Sequence, residues 1–390
     1  MAENSQKSLS WKCWDTYVQL SNSVRFIGCN ILDFDDRAPP NIYTYLTITL
    51  TLVCGIMGIT PIFRFSNSLG SIAEGMFTFA LAVQAGTKVY MIMSAKDLCY
   101  EILNQAQTFV AEFEDNPKVC KIFQKYIEIC NWWRPNIFRF YAFIISMMTI
   151  MCIAVSVYTR TKIFPFGGIL PFLDHQSNIG YVVNFVTYVL ISLYGTYGYF
   201  ASDYYYLNAM ATAYGHIETI AVVCEDLTAY LEQHGSDDIQ KINHSIALII
   251  KTQHNHSKFM NNLNKQFGFH SFVIITSSMV CIAIAMFLAI QYGWISGVFA
   301  IGLFLWQIST LCFVGGIYLI KADNTQIKVI KTKWYLLPVK KQKMFVCIIQ
   351  YLQNVKEPTA LSHFQLNFNT FVLCLKTMYQ LLMLLLNVSN

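Results

Sequence analysis

Long apolar stretches alternate with mixed, more polar segments along the whole chain. Seven stretches hold about 20 mainly apolar residues each, the length that a helix needs to cross a hydrocarbon core of about 30 Å. They lie at 42–62, 71–93, 135–159, 181–203, 271–290, 297–320 and 364–386. The pattern therefore predicts an all-α membrane protein with seven transmembrane helices.

The segments between these spans also carry apolar residues at helical spacing, as Leu98, Ile102 and Phe109 do. Because long loops without structure are uncommon, we expect the helices to continue beyond the membrane and to form an anchor domain there. Gly235 is expected to mark a turn between two of them. The predicted organisation is a segment at 1–41, six spans with their extensions at 42–320, an anchor segment at 321–363 and a seventh helix at 364–390.

Composition and charge support this class and give an orientation. Hydrophobic residues make up 55% of the chain and charged residues only 13%, about half the share usual in soluble domains. With the N-terminus inside, 21 of the 27 Lys and Arg residues lie in cytoplasmic segments and three in external ones. The positive-inside rule thus predicts a cytoplasmic N-terminus and an external C-terminus. Since 1–41 contains no signal-like apolar run, the first span is expected to act as signal and anchor.

No motif indicates an enzyme. Phosphate-binding loops, hydrolase elbows and paired metal-ligand spacings are missing from the sequence, so we expect no catalytic residues, no metal and no cofactor. His254 and His256 are the nearest approach to a metal pair and are interpreted as a polar helix face. The twelve cysteines avoid the predicted external loops, which indicates reduced thiols. The basic stretch at 328–343 favours anionic lipid headgroups over nucleic acid.

The last third of the chain carries a series of loose motifs in a fixed order. NKQFGFHSFVIITSSMVC leads into the fifth span, QISTLCFVGG ends the sixth, and KTKWYLLPVKKQKMF follows with Trp334, Tyr335 and Pro338. The last span reads FNTFVLCLKTMYQLLMLL, and LPF occurs in the second external loop. In these motifs, in length and in orientation the chain resembles the insect odorant receptor family.

That resemblance implies a function. Members of the family are non-selective cation channels gated by small volatile molecules, and each is a tetramer of odorant-binding subunits and a shared co-receptor. The seventh helices line the pore, late cytoplasmic segments hold the subunits together, and the odorant lies in the outer half among helices two to six. The expected location is the plasma membrane of an olfactory sensory neuron dendrite. Since the chain has no long second cytoplasmic insertion, it resembles the tuning subunit.

The last span has one mixed face and one apolar face. The mixed stripe holds Asn369, Leu373, Lys376, Gln380, Leu384, Asn387 and Val388, and the opposite face holds Phe368, Phe371, Leu375, Leu382 and Leu386. The mixed stripe is the better candidate to face water. The resemblance places the pore at Gln380, Leu384, Asn387 and Val388. A slip of two residues would select Leu382 and Leu386 instead, and a buried polar stripe without a pore role is the other alternative.

The odorant pocket is expected to be apolar and aromatic. Outer-half residues at helical spacing form the candidate set: Met76, Phe79, Met151, Ala154, Tyr158, Phe185, Tyr188 and Phe287. Two charged residues of the second span are interpreted as interfacial, with Glu74 reaching the outer surface and Lys88 the inner one.

Three other classes remain as alternatives. A gustatory receptor of the same superfamily would be a channel with a more polar pocket. A G-protein-coupled receptor would have an external N-terminus, and this chain lacks the NPxxY and DRY motifs of that class. A transporter would show inverted repeats.

Overall fold

The chain folds as a bundle of long helices. The structure is a computed structural model that describes residues 8–28, 41–65, 68–94, 96–361 and 364–389. Within these ranges the α-helices are α1 (Leu9–Val24), α2 (Ile42–Arg64), α3 (Leu69–Ser94), α4 (Lys96–Glu112), α5 (Pro117–Thr159), α6 (Asn178–His234), α7 (Ile239–Tyr292), α8 (Gly297–Ile330), α9 (Val339–Gln353) and α10 (Phe368–Ser389). Short 3-10 helices lie at Arg25–Ile27 and Trp334–Leu336.

Each of the seven predicted spans corresponds wholly or largely to a helix long and apolar enough to cross a membrane, and these helices are α2, α3, α5, α6, α7, α8 and α10. The all-α prediction is therefore confirmed. The predicted continuation beyond the membrane is also confirmed, because α5, α6 and α7 extend to 43, 57 and 54 residues. The predicted turn at Gly235 separates α6 from α7, and its φ of +69° is a backbone conformation that glycine adopts without strain.

Local sequence explains where the long helices begin. The Asn116 side chain accepts hydrogen bonds from the backbone N–H groups of Lys118 and Val119, and Pro117 fills the first turn of α5. Ser177 and Asp238 cap α6 and α7 in the same way. These caps satisfy N–H groups that the helix itself leaves without acceptors.

The hydrophobic core extends beyond the spans into the predicted cytoplasmic end. Helix α1, which the sequence analysis did not predict, buries Cys13, Tyr17 and Leu20 there. From α4, Ile102 and Phe109 join the same core. The expectation of reduced thiols agrees with eleven free cysteines in the described part of the chain, whereas Cys29 lies outside the described residues.

The connection into the last helix is a small antiparallel hairpin. Strands β1 (Thr359–Ala360) and β2 (Phe364–Gln365) pair, with Thr359 opposite Gln365. The hairpin also contacts α7, since the Leu361 N–H donates to the Gly268 carbonyl at 3.1 Å. Because 364–365 belongs to a strand, α10 begins at Phe368 and not at 364 as predicted.

Candidate functional site

A narrow cavity lies between α2, α3, α5, α6 and α8. Its volume is about 90 Å³, and its walls are almost wholly apolar. Each of the five helices contributes to them, for example through Leu50, Ala85, Met148, Gly195 and Leu303. Apolar, largely enclosed space between helices is a common form of small-molecule site.

The cavity extends along the helices. On α3 its wall residues run from Leu81 to Ile92, which corresponds to about 16 Å of helix. Phe166, from the loop between α5 and α6, borders the outer end, and Ile27 borders the inner end. The cavity therefore reaches further toward the predicted cytoplasmic side than the outer-half pocket that the sequence analysis expected.

An ion pair lies at the inner part of the cavity wall. The Lys88 ammonium is 2.9 Å from a carboxylate oxygen of Asp203 and 4.4 Å from the centre of the Tyr199 ring. The Tyr141 hydroxyl donates to the other carboxylate oxygen. Lys88 is only 2% exposed, so the prediction that it extends to the inner membrane surface was wrong. Asp203 of α6 supplies a buried counter-charge for the Lys88 ammonium inside the bundle, so the ammonium does not extend to the membrane surface.

Further hydrogen bonds connect this pair to α7. The Tyr199 hydroxyl donates to the Gln84 side-chain oxygen at 3.2 Å. The Gln84 amide in turn donates to the hydroxyls of Ser277 and Ser278 at 2.8 and 2.9 Å. Three helices are thus joined at one depth by polar groups that satisfy each other inside an apolar bundle.

The loop between α5 and α6 closes the outer end. The Ile169 N–H donates to the Met57 carbonyl at 3.0 Å, and the Tyr188 hydroxyl donates to the Gly168 carbonyl. Gly168 approaches α2 so closely that an added Cβ would lie 2.8 Å from the Met57 oxygen. The part of the loop around Gly168 and Ile169 is therefore held against the helix bundle.

Half of the residues predicted for the odorant pocket point away from the protein interior. These are Met76, Phe79, Ala154 and Tyr158, and Tyr158 is 90% exposed. Met151 and Phe185 are half-buried, and Phe185 borders an open groove between α5 and α6.

The other two predicted pocket residues are buried. Tyr188 is in ring contact with Phe166 at 5.7 Å, next to the outer end of the cavity. Phe287 packs against Tyr292 at the external end of α7. None of the eight predicted residues belongs to the cavity wall as described, and their role in binding stays a prediction.

The sequence does contain a signal for the correct face of α3. Gln84 and Lys88 are polar residues inside an apolar span, and such residues face protein rather than lipid. Leu81, Ala85 and Ile92 lie on the same side at intervals of three or four residues, and they line the cavity.

Helix α10 is attached to the subunit along one face. Cys374, Met378 and Leu382 are buried against the other helices, whereas Leu384 and Val388 are 61% and 67% exposed. Gln380 and Asn387 are exposed as well, so the four predicted pore residues share the free face. Of the alternative pair, Leu382 is only 5% exposed and belongs to the attached face.

Helix α8 contacts both the cavity and α10. Leu303 lies on the cavity wall, and further along α8 the Phe313 ring packs 5.2 Å from the rings of both Phe368 and Phe371. A change in the position of α8 would therefore act on the base of α10.

His254 and His256 do not form a metal pair. His254 is exposed and His256 is buried, so they lie on different sides of α7. Across the described ranges, no three His, Cys, Asp or Glu side chains are grouped as metal ligands.

Comparisons with known proteins agree with this fold. The model of the family described as "7tm Odorant receptor" matches residues 68–379. The fold is similar to that of the insect olfactory receptor OR5 from Machilis hrabei in complex with eugenol, with a TM-score of 0.76, 14% identity, and 96% of this chain and 100% of that chain covered. A second OR5 structure from the same insect gives a TM-score of 0.75, 14% identity, and 96% and 98% coverage.

The family model covers well over half of the chain, and the late motifs that indicated insect odorant receptors lie largely within the matched region. Seven apolar helices agree with a multi-pass membrane protein. The chain belongs to the 7tm Odorant receptor family.

Proposed function

We propose that the chain is the odorant-binding subunit of a heteromeric, ligand-gated, non-selective cation channel. Co-receptor subunits complete a tetramer in the plasma membrane of an olfactory sensory neuron dendrite. The observation that carries the proposal is the free face of α10, which combines polar Gln380 and Asn387 with apolar Leu384 and Val388.

Polar side chains in a membrane-length helix are costly when they face lipid. Gln380 and Asn387 point away from their own subunit, so they need either a neighbouring subunit or water. A central pore lined by one α10 from each subunit supplies water. Leu384 and Val388 then form an apolar constriction, which can close a pore by excluding water from it.

The cavity between α2, α3, α5, α6 and α8 is the proposed odorant site. Its apolar walls suit small volatile organic molecules, which bind mainly through dispersion and burial. A protein of similar fold was solved in complex with eugenol, which supports a small organic ligand for this fold. The sparse polarity of the cavity argues against the more polar pocket expected of a gustatory receptor.

Ligand binding and pore opening are connected through α8. An odorant against Leu303 contacts the same helix whose Phe313 packs on the base of α10. The odorant shifts the closed–open equilibrium by its difference in affinity for the two states and by no more.

Whole-cell current tests the proposal. The chain is expressed in a heterologous cell with and without an odorant co-receptor, and a panel of volatile organic compounds is applied. We expect a rapid current that needs no added nucleotide or G protein. Leu384→Ala should raise the current without odorant, because a shorter side chain weakens the apolar constriction. Asn387→Ala should change the relative permeability of cations.

Leu375→Ala is the control, since Leu375 is also exposed but lies about 180° from Leu384 and about 120° from Asn387 around the helix. It should leave basal current and permeability unchanged. An absence of current from any panel member, despite surface expression with the co-receptor, would refute the proposed function. Equal effects of Leu384→Ala and Leu375→Ala would remove the pore assignment alone.

A further inference from the structure

An open groove lies between the outer ends of α5 and α6, apart from the cavity already described. Its volume is about 530 Å³. The apolar part of its wall lies within the predicted spans and consists of Ile153, Val157, Val182, Phe185 and Val186. All of these are exposed except Phe185, which is half-buried. Since exposed apolar side chains at this depth contact acyl chains, the groove opens toward the hydrocarbon of the outer leaflet.

Two cationic side chains border the outer end of this groove. Arg160 and Lys162 are two of the three Lys and Arg residues in the predicted external segments, and both belong to the groove wall. No described residue of the wall is acidic, and Asp174, the one acidic side chain of the external segments, is not part of it. The groove therefore combines an apolar wall at acyl-chain depth with positive charge at headgroup depth.

Both cations have hydrogen-bond donors that are free for a ligand. The Arg160 guanidinium carries five N–H donors, and within the described ranges it has no ion pair or hydrogen bond. The Lys162 ammonium donates to the Gln176 carbonyl, which uses one of its three donors. An arginine can bind two oxygens of one phosphate group at once, so a phosphate is a well-matched ligand for this pair.

The backbone at Arg160 is in a conformation that arginine seldom adopts. The residue ends α5 with a φ of +54°, in the left-handed region that Gly and Asn occupy more readily. The chain that follows is fixed, because the Ile163 N–H donates to the Ser156 hydroxyl at 3.2 Å and the Tyr181 hydroxyl donates to the Ile163 carbonyl at 3.3 Å. An arginine at a strained position on a fixed segment indicates a function for its side chain.

We propose that the groove binds one phospholipid of the outer leaflet and that Arg160 and Lys162 hold its phosphate. One acyl chain lies against Val157 and Val186, and the other stays in the bilayer, to which the groove is open. On α5 the wall runs from Ile153 to Arg160, which corresponds to about 10 Å of helix and accommodates the first part of an acyl chain. The inference does not rest on the proposed channel function.

Each part of the groove argues against a simpler ligand. A free phosphate ion would leave the apolar wall unused and would gain little from two cations that are partly in water. An uncharged lipid would cover the apolar wall equally well, but it would leave Arg160 and Lys162 without an anion. A phospholipid uses both parts, with the charge and the chain in the order that the groove presents them.

Photocrosslinking of the full-length chain in a neutral detergent tests the assignment. The probe is a trace of phosphatidylcholine with a diazirine in one acyl chain, and the reference is a diacylglycerol with the same chain. Mass spectrometry identifies the labelled peptides. We expect phosphatidylcholine to label the wall segments 153–157 and 182–186 about five- to tenfold more than diacylglycerol does, because one Lys or Arg close to a headgroup strengthens lipid binding about fivefold.

Arg160→Asn combined with Lys162→Gln should lower the labelling by phosphatidylcholine to the level of diacylglycerol. Asn suits the left-handed backbone at position 160, and Gln can still donate to the Gln176 carbonyl, so the loop should keep its structure. Arg64→Gln is the matched control, because Arg64 is the third external cation and does not border the groove. It should leave the labelling unchanged. Thermal unfolding of each variant establishes that it is folded.

Several results would overturn the phospholipid site. One is equal labelling by the two probes, and another is labelling by phosphatidylcholine that persists in the double variant. Labelling of other surfaces without the segments 153–157 and 182–186 would exclude the groove. Displacement of the probe by millimolar inorganic phosphate would assign the two cations to a free anion and not to a lipid. No odorant-evoked current is measured, so these outcomes are independent of the channel function.

Discussion

The Lys88 ammonium and the Asp203 carboxylate form a buried ion pair 2.9 Å apart, although 115 residues separate them along the chain. The pair joins α3 to α6 beside the cavity, and Tyr141 of α5 completes it. Removal of one charge from such a pair leaves the other buried without compensation, which is more harmful than removal of both.

Lys88→Met should therefore lower the free energy of unfolding by about 3–5 kcal/mol, because Asp203 would remain charged and unpaired. Thermal unfolding of the detergent-solubilised protein and surface expression measure the loss. The double variant Lys88→Met with Asp203→Leu should regain much of the stability. A double variant less stable than Lys88→Met would show that the pair is not the cause.

A larger side chain at position 198 would reduce the cavity volume and so test whether the cavity is the ligand site. A Cβ added there meets no atom within 4 Å, although Gly198 belongs to the cavity wall. Gly198→Val should fold normally and fill part of the space, so the potency of the largest agonists should fall by about tenfold or more while that of the smallest changes little. Concentration–response curves of the current measure this.

Gly302 of α8 supplies the control for that variant. It also has open space where a Cβ would be, but it lies outside the cavity wall. Gly302→Val should leave the size dependence of the agonists unchanged. An identical response of the two variants would mean that odorants bind elsewhere.

Tyr188 should control the order of the loop over the cavity. Tyr188→Phe removes the hydrogen bond to the Gly168 carbonyl. A loss of about 1 kcal/mol should make the amides of 163–173 exchange with deuterium about fivefold faster. Tyr206→Phe is the matched control on α6, since the Tyr206 hydroxyl has no partner in the described part of the chain. If both variants exchange alike, the Tyr188 bond does not hold the loop.

Two buried histidines should make the cytoplasmic core sensitive to acid. Burial lowers the pKa of His256 to about 3 and, with the nearby His256 as a second cause, holds the pKa of His216 well below its usual value. The rings lie 6.1 Å apart, and neither nitrogen of His216 has a partner in the described residues.

These folded-state pKa values lie below the unfolded value of about 6.5. The contribution of the two neutral histidines to the free energy of unfolding is therefore complete above pH 6.5 and declines as the pH falls toward the folded-state values. Below the unfolded pKa, each histidine can lower the free energy of unfolding by about 1.4 kcal/mol for each pH unit. Melting temperatures between pH 7.5 and 5.5 should fall less steeply in His216→Leu than in the exposed-site control His254→Gln. Equal slopes would contradict the expectation.

The sequence predicted the spans well because length and apolarity alone determine them. On α10, polar Gln380 and Asn387 were predicted on one side and are both exposed, whereas Phe368 and Leu375 of the predicted opposite face are exposed as well. The predicted pocket residues on α3 and α5 were chosen by outer position and spacing. In a membrane both sides of a helix can be apolar, so spacing did not distinguish the lipid side, with Met76 and Phe79, from the cavity side.

Two further features could not be predicted, because they depend on contacts between residues far apart in the sequence. The partner of Lys88 lies on another helix, and no local pattern connects it to Asp203. The inward path of the loop around Gly168 depends on close approach to α2 and on Tyr188. Helix α1 was not predicted, because it is amphipathic and has no membrane-length apolar run, although Cys13, Tyr17 and Leu20 follow helical spacing.

Helix α6 has a mechanical consequence. Its 57 residues make a rod of about 85 Å that lines the cavity with Ser192 and Gly198 and continues into the cytoplasmic core. A tilt of about 3° around its midpoint would displace each end by about 2 Å, a distance comparable to helix shifts at subunit interfaces. A small movement of this helix at the cavity would thus become a larger displacement at its cytoplasmic end.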